Sequence, residues 1–140
     1  MHLNACIELD KKSLNGLWSK SQWERELNES KRICLGAIDL KSKKLLGLCS
    51  AWLVMDELQI TSLAVHPTHQ RKGLGKSLLN EIITRSNTFR TNHIHLEVKE
   101  TNEPAKAFYK SMGFKIEGKR LNFYKDGSNA LILKKHLHNK

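Results

Sequence analysis

Two glycines at alternate positions, Gly73 and Gly75, lie in a basic loop between an apolar run and an amphipathic run. Glycine lets a backbone approach an anion closely, and the free N–H groups at the start of a helix favour negative charge. The loop 70–77, with the sequence QRKGLGKS, therefore predicts a cradle for a phosphate-bearing ligand. We expect seven of its residues at that ligand: Gln70, Arg71, Lys72, Gly73, Leu74, Gly75 and Lys76.

The register of this loop disfavours two common nucleotide-binding motifs. The triphosphatase loop G-x-x-x-x-G-K-[ST] would need a glycine where Gln70 stands. The dinucleotide fingerprint G-x-G-x-x-G would need another where Leu78 stands. The pattern that remains, Q-x-x-G-x-G, names no ligand by itself.

The segments on either side of the loop predict the elements that hold it. The run 58–65 alternates with a period of two and then slips by one residue near Thr61 or Ser62, which predicts a β-bulge. After the loop, a helical apolar period predicts a helix over 73–87. Strand, glycine loop and helix are thus contiguous.

Two further segments carry polar groups that could take part in chemistry. The alternating run 94–98 predicts a half-buried strand with His95 and Glu97 on its polar face. Asn102 then predicts the N-cap of a helix, and Gly113 its left-handed terminator.

The remaining segments predict flanking elements. Ser19 and Gln22 form a capping box with a tryptophan on either side, which predicts a helix over 20–29. Four apolar runs predict two strand pairs: 32–40 with 45–55, and 114–121 with 130–133.

Composition limits the class of protein. A chain of 140 residues has the size of one domain, 1–140. Its net charge of +10 favours an anionic ligand or surroundings rich in nucleic acid. No apolar run approaches the ~18 residues of a membrane span and no secretory signal is visible, so we expect a cytoplasmic protein without a membrane partner. The three cysteines are expected to be buried free thiols, and no ligand spacing predicts a metal site.

The loop and the segments after it resemble the GNAT superfamily of N-acetyltransferases. Q-x-x-G-x-G is similar to that superfamily's acyl-CoA motif, and N-x-x-A-x-x-x-Y-x-x-x-G-F, from Asn102 to Phe114, is similar to its next helix. The resemblance implies an α/β fold: a mixed, mostly antiparallel sheet with a splayed central strand pair and flanking helices. It also implies acetyl-CoA as co-substrate, with its pyrophosphate on the loop and its pantetheine arm in the splay.

The same resemblance implies catalytic roles. Glu97 would be the general base, acting through a water, with His95 as the rival, and Tyr109 would be the general acid for the thiolate. Asn102 would touch pantetheine while capping its helix. From the residues alone, Glu97 could instead pair with a basic neighbour and Tyr109 could be a core residue. The resemblance also implies backbone contacts to pantetheine or the thioester from Leu63, Ala64 and Val65.

The tail from Lys119 to Tyr124 resembles the ribosomal-protein-alanine N-acetyltransferases within the superfamily, although Leu121 replaces a basic residue and Phe123 a tyrosine. This implies a protein N-terminus, most simply that of a ribosomal protein, as acceptor. The expected walls of the peptide groove are Trp18, Trp23, Asn122, Phe123 and Tyr124. A lysine or small amine as acceptor, and a non-catalytic basic module on RNA or the ribosome, remain alternatives.

One departure concerns the start of the fold. The superfamily opens with a strand before its first helix, whereas the segment 5–14 already aligns with that helix. Either the start lies upstream or one edge strand is lacking, in which case a partner chain could cover the exposed edge. We therefore expect a monomer or a weak homodimer.

Overall fold

The computed structural model describes residues 3–14, 16, 18–28, 32–87 and 90–137. Within these ranges it has four helices and six strands, followed in chain order here: α1 Leu3–Ser13, α2 Lys20–Asn28, β1 Arg32–Ile38, β2 Leu45–Val54, β3 Glu57–Val65, α3 Leu74–Ser86, β4 His93–Lys99, α4 Glu103–Ser111, β5 Lys115–Arg120 and β6 Ala130–His136. A short 3₁₀ turn, Pro67–His69, leads from β3 towards α3.

The strands form one sheet in the order β1-β2-β3-β4-β6-β5. All neighbours are antiparallel except the central pair, β3 and β4. That parallel pair is joined only where Glu57–Gln59 face His93–His95. Beyond these residues the two strands diverge, so the predicted mixed sheet with a splayed central pair is confirmed.

A β-bulge interrupts β3 at the predicted place. Ser50 of β2 pairs with Ser62, but the next residue, Ala51, pairs with Ile60, so Thr61 is the extra residue. The bulge changes the phase of the strand by one residue. As a result, apolar side chains before and after it belong to the same core.

Two cores lie on opposite faces of the sheet. The larger one packs α3 and α4 against β2, β3, β4 and β6. The smaller one packs α1 and α2 around Trp23, which is fully buried. The burial of apolar side chains on both faces stabilises the sheet and fixes its register.

The predicted start of α2 is confirmed in its details. Ser19 N donates to Gln22 Oε1 at 2.7 Å, and Gln22 N donates to Ser19 Oγ at 3.3 Å. The rings of Trp18 and Trp23 lie 4.5 Å apart, at the two staple positions. Residue 29, the predicted end of this helix, lies outside the described residues.

A buried carboxylate ties α1 to the start of α2. Asp10 Oδ2 accepts hydrogen bonds from Trp18 N at 3.0 Å and from Trp23 Nε1 at 2.8 Å. Asp10 is 1% exposed, so these bonds replace water at a charged group. They hold both tryptophans against the protein interior.

The edges of the sheet correct one expectation. Cys6 and Cys49 are buried as predicted, but Cys34 is exposed because it lies on the edge strand β1. In the described ranges the first strand follows α2, and β1 pairs on one side only. None of the described helices has the length and apolar character needed to cross a membrane.

Candidate active site

The diverging halves of β3 and β4 enclose a cleft of about 440 Å³. Five predicted site residues line this cleft: Leu63, Glu97, Asn102, Tyr109 and Tyr124. A larger groove of about 670 Å³ lies between α4 and β5, but none of the predicted site residues lines it. The two predicted catalytic side chains, Glu97 and Tyr109, therefore lie at the cleft between the diverging halves of β3 and β4.

The backbone of β3 faces this cleft at alternate residues. His66 N donates to Leu46 O at 2.7 Å, which marks a hydrogen-bonded pair between β2 and β3. In an antiparallel ladder such pairs alternate, so Ala64 also bonds to β2, whereas Leu63 and Val65 point their N–H groups away from it. Of the three expected backbone contacts, the N–H group of Ala64 bonds to β2, while those of Leu63 and Val65 do not; Leu63 also lines the cleft.

The carbonyl of Val65 confirms this direction. It accepts hydrogen bonds from Ser13 Oγ and from Gln70 Nε2, each at 2.9 Å, and neither donor belongs to β2. Gln70, expected at the ligand, thus stabilises the turn from β3 into the loop. Ser13 was not foreseen, because nothing in the local pattern of α1 indicates a contact 52 residues away.

The glycine loop ends in a helix start with free donors. Gly73 is left-handed, with φ +85°, and the first helical bond runs from Ser77 N to Gly73 O at 3.0 Å. Across the described ranges, three N–H groups at the start of α3 have no acceptor in the chain: those of Leu74, Gly75 and Lys76. Such a group of amides fits a pyrophosphate.

The side chains around these donors leave the approach open. A Cβ built on Gly73 would meet nothing within 4 Å, whereas one on Gly75 would lie 3.6 Å from both Val65 and Phe108. Three cations of the loop are exposed beside the free amides: Arg71, Lys72 and Lys76. They add positive charge where the phosphate would lie.

Glu97 lies in the cleft and is also paired with a cation. Its Oε2 lies 2.7 Å from Nε of Arg120, and its side chain is 17% exposed. Oε2 is buried and forms no hydrogen bond of good geometry. The two interpretations from the sequence, a base at the cleft and a partner of a basic residue, therefore both describe Glu97.

His95 lies further along the same strand face and away from the cleft. Its Nε2 is 3.6 Å from Glu57 Oε2, and its burial lowers the pKa of this imidazole. Among the described residues that line the cleft, Glu97 is present and His95 is not.

Tyr109 combines a core position with access to the cleft. Its ring packs against Phe108 and Phe114, and the residue is only 7% exposed. Burial raises the pKa of this phenol far above its ordinary value, so the hydroxyl stays protonated at neutral pH. Within the described residues, that hydroxyl makes no hydrogen bond to the protein.

Asn102 is placed as predicted. Its Oδ1 accepts a hydrogen bond from Ala105 N at 3.2 Å and so caps α4. The residue also lines the cleft, beside Tyr109. The proline at the start of α4 needs no hydrogen-bond partner there, which favours the helix at this point.

The segment between β5 and β6 supplies a second wall. Tyr124 lines the cleft, and burial together with the negative charge of Glu97 raises the pKa of its phenol. Phe123 packs edge-on against Tyr124, with ring centroids 5.1 Å apart, and is 45% exposed. Asn122 has a left-handed backbone, with φ 53°, at the turn out of β5.

The structure does not bring the two tryptophans to this cleft. Trp23 has no exposed surface and belongs to the core under α1 and α2, which corrects the expectation that it forms a wall of the groove. Trp18 is half-buried against it. The residues of this region that do line the cleft are Ser13 and Leu14, at the end of α1.

A buried polar cluster next to the bulge was not foreseen. Glu26 of α2, 5% exposed, accepts hydrogen bonds from Ser50 Oγ and from Thr61 Oγ1, the latter at 2.8 Å. Arg32 forms an ion pair with the same carboxylate at 3.1 Å. The cluster thus clamps the bulged residue. Among the described residues, no group of three or more His, Cys, Asp or Glu could hold a metal ion.

Residues 3–114 match the acetyltransferase (GNAT) family. The chain belongs to this family. The predicted fold and the predicted acetyl-CoA-dependent acetyltransferase activity are thereby confirmed. The free amides of the loop and the cleft between β3 and β4 fit the pyrophosphate and the thioester arm of that co-substrate.

Two relatives, one of them also known from a crystal structure, refine the comparison. A Bacillus subtilis protein, provisionally named a ribosomal protein bS18-alanine N-acetyltransferase, is 33% identical over 132 residues, which are 94% of this chain and 87% of that protein. The Escherichia coli ribosomal protein bS18-alanine N-acetyltransferase is 35% identical over 92 residues, 64% of this chain and 62% of that protein. A crystal structure of the Escherichia coli ribosomal-protein-S18-alanine N-acetyltransferase has a TM-score of 0.86 at 26% identity, covering 96% of this chain and 86% of that one.

Proposed function

We propose that this chain transfers the acetyl group of acetyl-CoA to the N-terminal α-amino group of a protein, and that its main acceptor is a ribosomal protein. The observation that carries the proposal is the cleft, in which Glu97 and Tyr109 line one space beside the bulge of β3, the strand that leads to the glycine loop. The names of the bS18-alanine relatives support the class of acceptor.

The reaction requires one bond to form and one to break. The amine nitrogen attacks the thioester carbonyl carbon, and the C–S bond breaks as the C–N bond forms. Two protons leave the ammonium group during the reaction. Glu97 accepts the first of them, directly or through a water, and releases it to solvent before it accepts and releases the second in the same way. Tyr109 donates its own proton to the departing thiolate. Solvent then restores Tyr109, so that one proton ends on the thiol and one in water.

Backbone groups would bind the co-substrate. The N–H groups of Leu63 and Val65 point away from β2 and would bond pantetheine or stabilise the oxyanion that forms on the carbonyl oxygen. The free amides at the start of α3 would hold the pyrophosphate. Asn102 would contact the pantetheine arm beside Tyr109.

The acceptor peptide would enter from the side of α1 and the β5–β6 segment. Tyr124 and Phe123 would form one wall, with Asn122 at its edge, and Leu14 would face them from the end of α1. The two tryptophans would act indirectly, by holding the turn between α1 and α2 through Asp10. Residues 1–140 would form one catalytic domain that works in the cytoplasm as a monomer or weak homodimer.

The acceptor class can be tested with matched peptides. One peptide has a free N-terminus and no lysine, a second has a blocked N-terminus and one lysine, and a polyamine is the third acceptor. We expect thiol release and a mass gain of one acetyl group only with the first peptide. Acetylation of the lysine or the polyamine alone would contradict the N-terminal acceptor and would show that the acceptor is a side-chain or small amine.

A non-catalytic role would give a different result. No thiol release with any amine, together with salt-sensitive RNA binding that coenzyme A does not affect, would support a ribosome-associated binding module. The ribosomal acceptor is tested by mass spectrometry of ribosomal-protein N-termini from cells with and without this protein. Unchanged N-termini would remove the ribosomal part of the proposal.

A further inference from the structure

The candidate base, Glu97, is paired with a cation, Arg120, that has no role in the reaction proposed above. Nε of Arg120 lies 2.7 Å from Oε2 of Glu97. That oxygen is buried and has no other polar partner among the described residues. A buried carboxylate oxygen without a counter-charge is disfavoured, and the guanidinium of Arg120 supplies that counter-charge.

The register of the sheet explains how Arg120 reaches Glu97. Arg120 of β5 pairs with Ala130 of β6, and Ala130 pairs on its other side with Lys99 of β4. Glu97 stands two residues before Lys99 and so shares its face. The guanidinium must cross β6 to reach Glu97, and the residue of β6 that stands opposite Arg120 is the small Ala130.

Arg120 also contacts the wall proposed for the acceptor. Its guanidinium carbon lies 5.6 Å from the centre of the Phe123 ring. One side chain thus joins the carboxylate in the cleft to the β5–β6 segment. By contrast, the neighbouring ion pair between Lys119 and Glu100, at 2.6 Å, joins two half-exposed side chains that do not line the cleft.

The geometry points to Arg120 as a positioning residue for the transfer reaction. By anchoring Oε2, it holds the carboxylate in one orientation and leaves Oε1 free to accept the proton of the acceptor amine. This inference rests on the proposed function, because the orientation of Glu97 matters only if Glu97 is the base. No bond to Arg120 forms or breaks during the reaction.

The first test compares the steady-state kinetics of single variants with a free-N-terminus peptide over a range of acetyl-CoA concentrations. Arg120→Gln should lower kcat by roughly 10- to 100-fold, the scale of a misplaced catalytic group, and leave the KM for acetyl-CoA unchanged. Arg120→Lys should recover most of that loss because it restores a cation. Lys119→Gln is the matched control: it removes the same charge and a neighbouring ion pair, and it should keep the wild-type kcat.

The second test asks whether Arg120 acts through Glu97. In a double-mutant cycle, Arg120→Gln should cause no further loss of kcat in a Glu97→Gln background, since the carboxylate it positions is gone. Additive losses, equal losses in Arg120→Gln and Arg120→Lys, or a wild-type kcat in Arg120→Gln would each overturn the inference.

The inference and the proposed function can fail separately. If Glu97→Gln lacks activity while Arg120→Gln retains it, Glu97 is still supported as the base, but Arg120 does not position it. If Glu97→Gln keeps full activity, the proposed mechanism fails and the inference falls with it. A wild-type protein that acetylates no N-terminus contradicts the acceptor, whatever the variants do.

Discussion

Glu97 and Tyr109 lie in surroundings of opposite kind, although both line one cleft. A guanidinium stands beside the carboxylate of Glu97, whereas aromatic rings surround the phenol of Tyr109 and raise its pKa. An acid and a base can work together at one pH when their environments differ in this way. The two residues are therefore suited to the roles of base and acid.

Removal of the Tyr109 hydroxyl tests the acid. Tyr109→Phe should lower kcat by about 10². It should leave the melting temperature nearly unchanged, because within the described residues the hydroxyl has no hydrogen bond to lose. The raised pKa of the phenol also predicts that its ionisation causes no decline of kcat between pH 7 and about 10. Wild-type turnover in this variant would show that Tyr109 serves the core alone.

A pair of variants distinguishes the two candidate bases. Glu97→Gln should lower kcat by roughly 10² to 10⁴, while His95→Gln should retain it, because His95 lies against Glu57 and away from the cleft. Steady-state rates with one peptide at saturating acetyl-CoA measure both. The reverse pattern would assign the base to His95.

At the scale of elements, the junction of β3, the loop and α3 creates the anion site. The strand ends in a carbonyl that Gln70 and Ser13 hold, and the helix begins at a left-handed Gly73. Between them the chain turns without using the first amides of α3. The glycine at position 73 is required by its backbone angle as well as by the approach of the ligand.

Two glycines with the same backbone angle allow a matched test of the cradle. Gly73 and Gly127 both have φ +85° and open space around the missing Cβ. A valine at either position should lower stability by about 1–3 kcal/mol, because a β-branched residue is strained there. Only Gly73→Val should raise the KM for acetyl-CoA. An unchanged KM would contradict the cradle.

The bulge in β3 depends on a contact from another element. Thr61 Oγ1 donates to the buried Glu26, so Thr61→Val should lower the free energy of unfolding by about 1–3 kcal/mol. Thr84→Val is the control, since Thr84 bonds the carbonyl of Asn80 on an exposed helix face, and it should change stability by less than about 0.5 kcal/mol. Equal effects in urea denaturation would argue against the clamp.

At the scale of the whole molecule, buried cysteine thiols make the protein less stable at alkaline pH. Burial raises the pKa of Cys6 to about 11 and that of Cys49 to about 12. A raised pKa in the folded state favours the protonated form, so this stability is complete below the ordinary thiol value and is lost as pH rises through the raised one.

We therefore expect the free energy of unfolding to fall as pH rises from about 9 towards 12, where the pKa of Cys49 lies. Cys49→Ala removes one of these groups and should decline less steeply with pH, from a lower starting stability because the replacement leaves a small cavity. Urea denaturation at several pH values measures the slopes. An identical slope in both proteins would show that Cys49 does not contribute.

Much of the fold follows from patterns of short range. The capping box of Ser19 and Gln22, the phase slip at Thr61 and the cap at Asn102 each depend on a few neighbouring residues, and each is confirmed. Contacts between distant segments could not be inferred in the same way. The clamp of Glu26 on Thr61 and the bond of Ser13 to Val65 join residues on different elements.

The sequence by itself determined the anion loop, the elements around it and the set from which the acid and base are drawn, because these depend on residue type and local spacing. Only the tertiary structure decided that Trp23 belongs to the core and that the N–H group of Ala64 bonds to β2. It also decided that Glu97 pairs with Arg120 across β6. The physical reason is that strand order and the divergence of β3 from β4 set which side chains meet. Both the strand order and this divergence arise from packing over the whole chain.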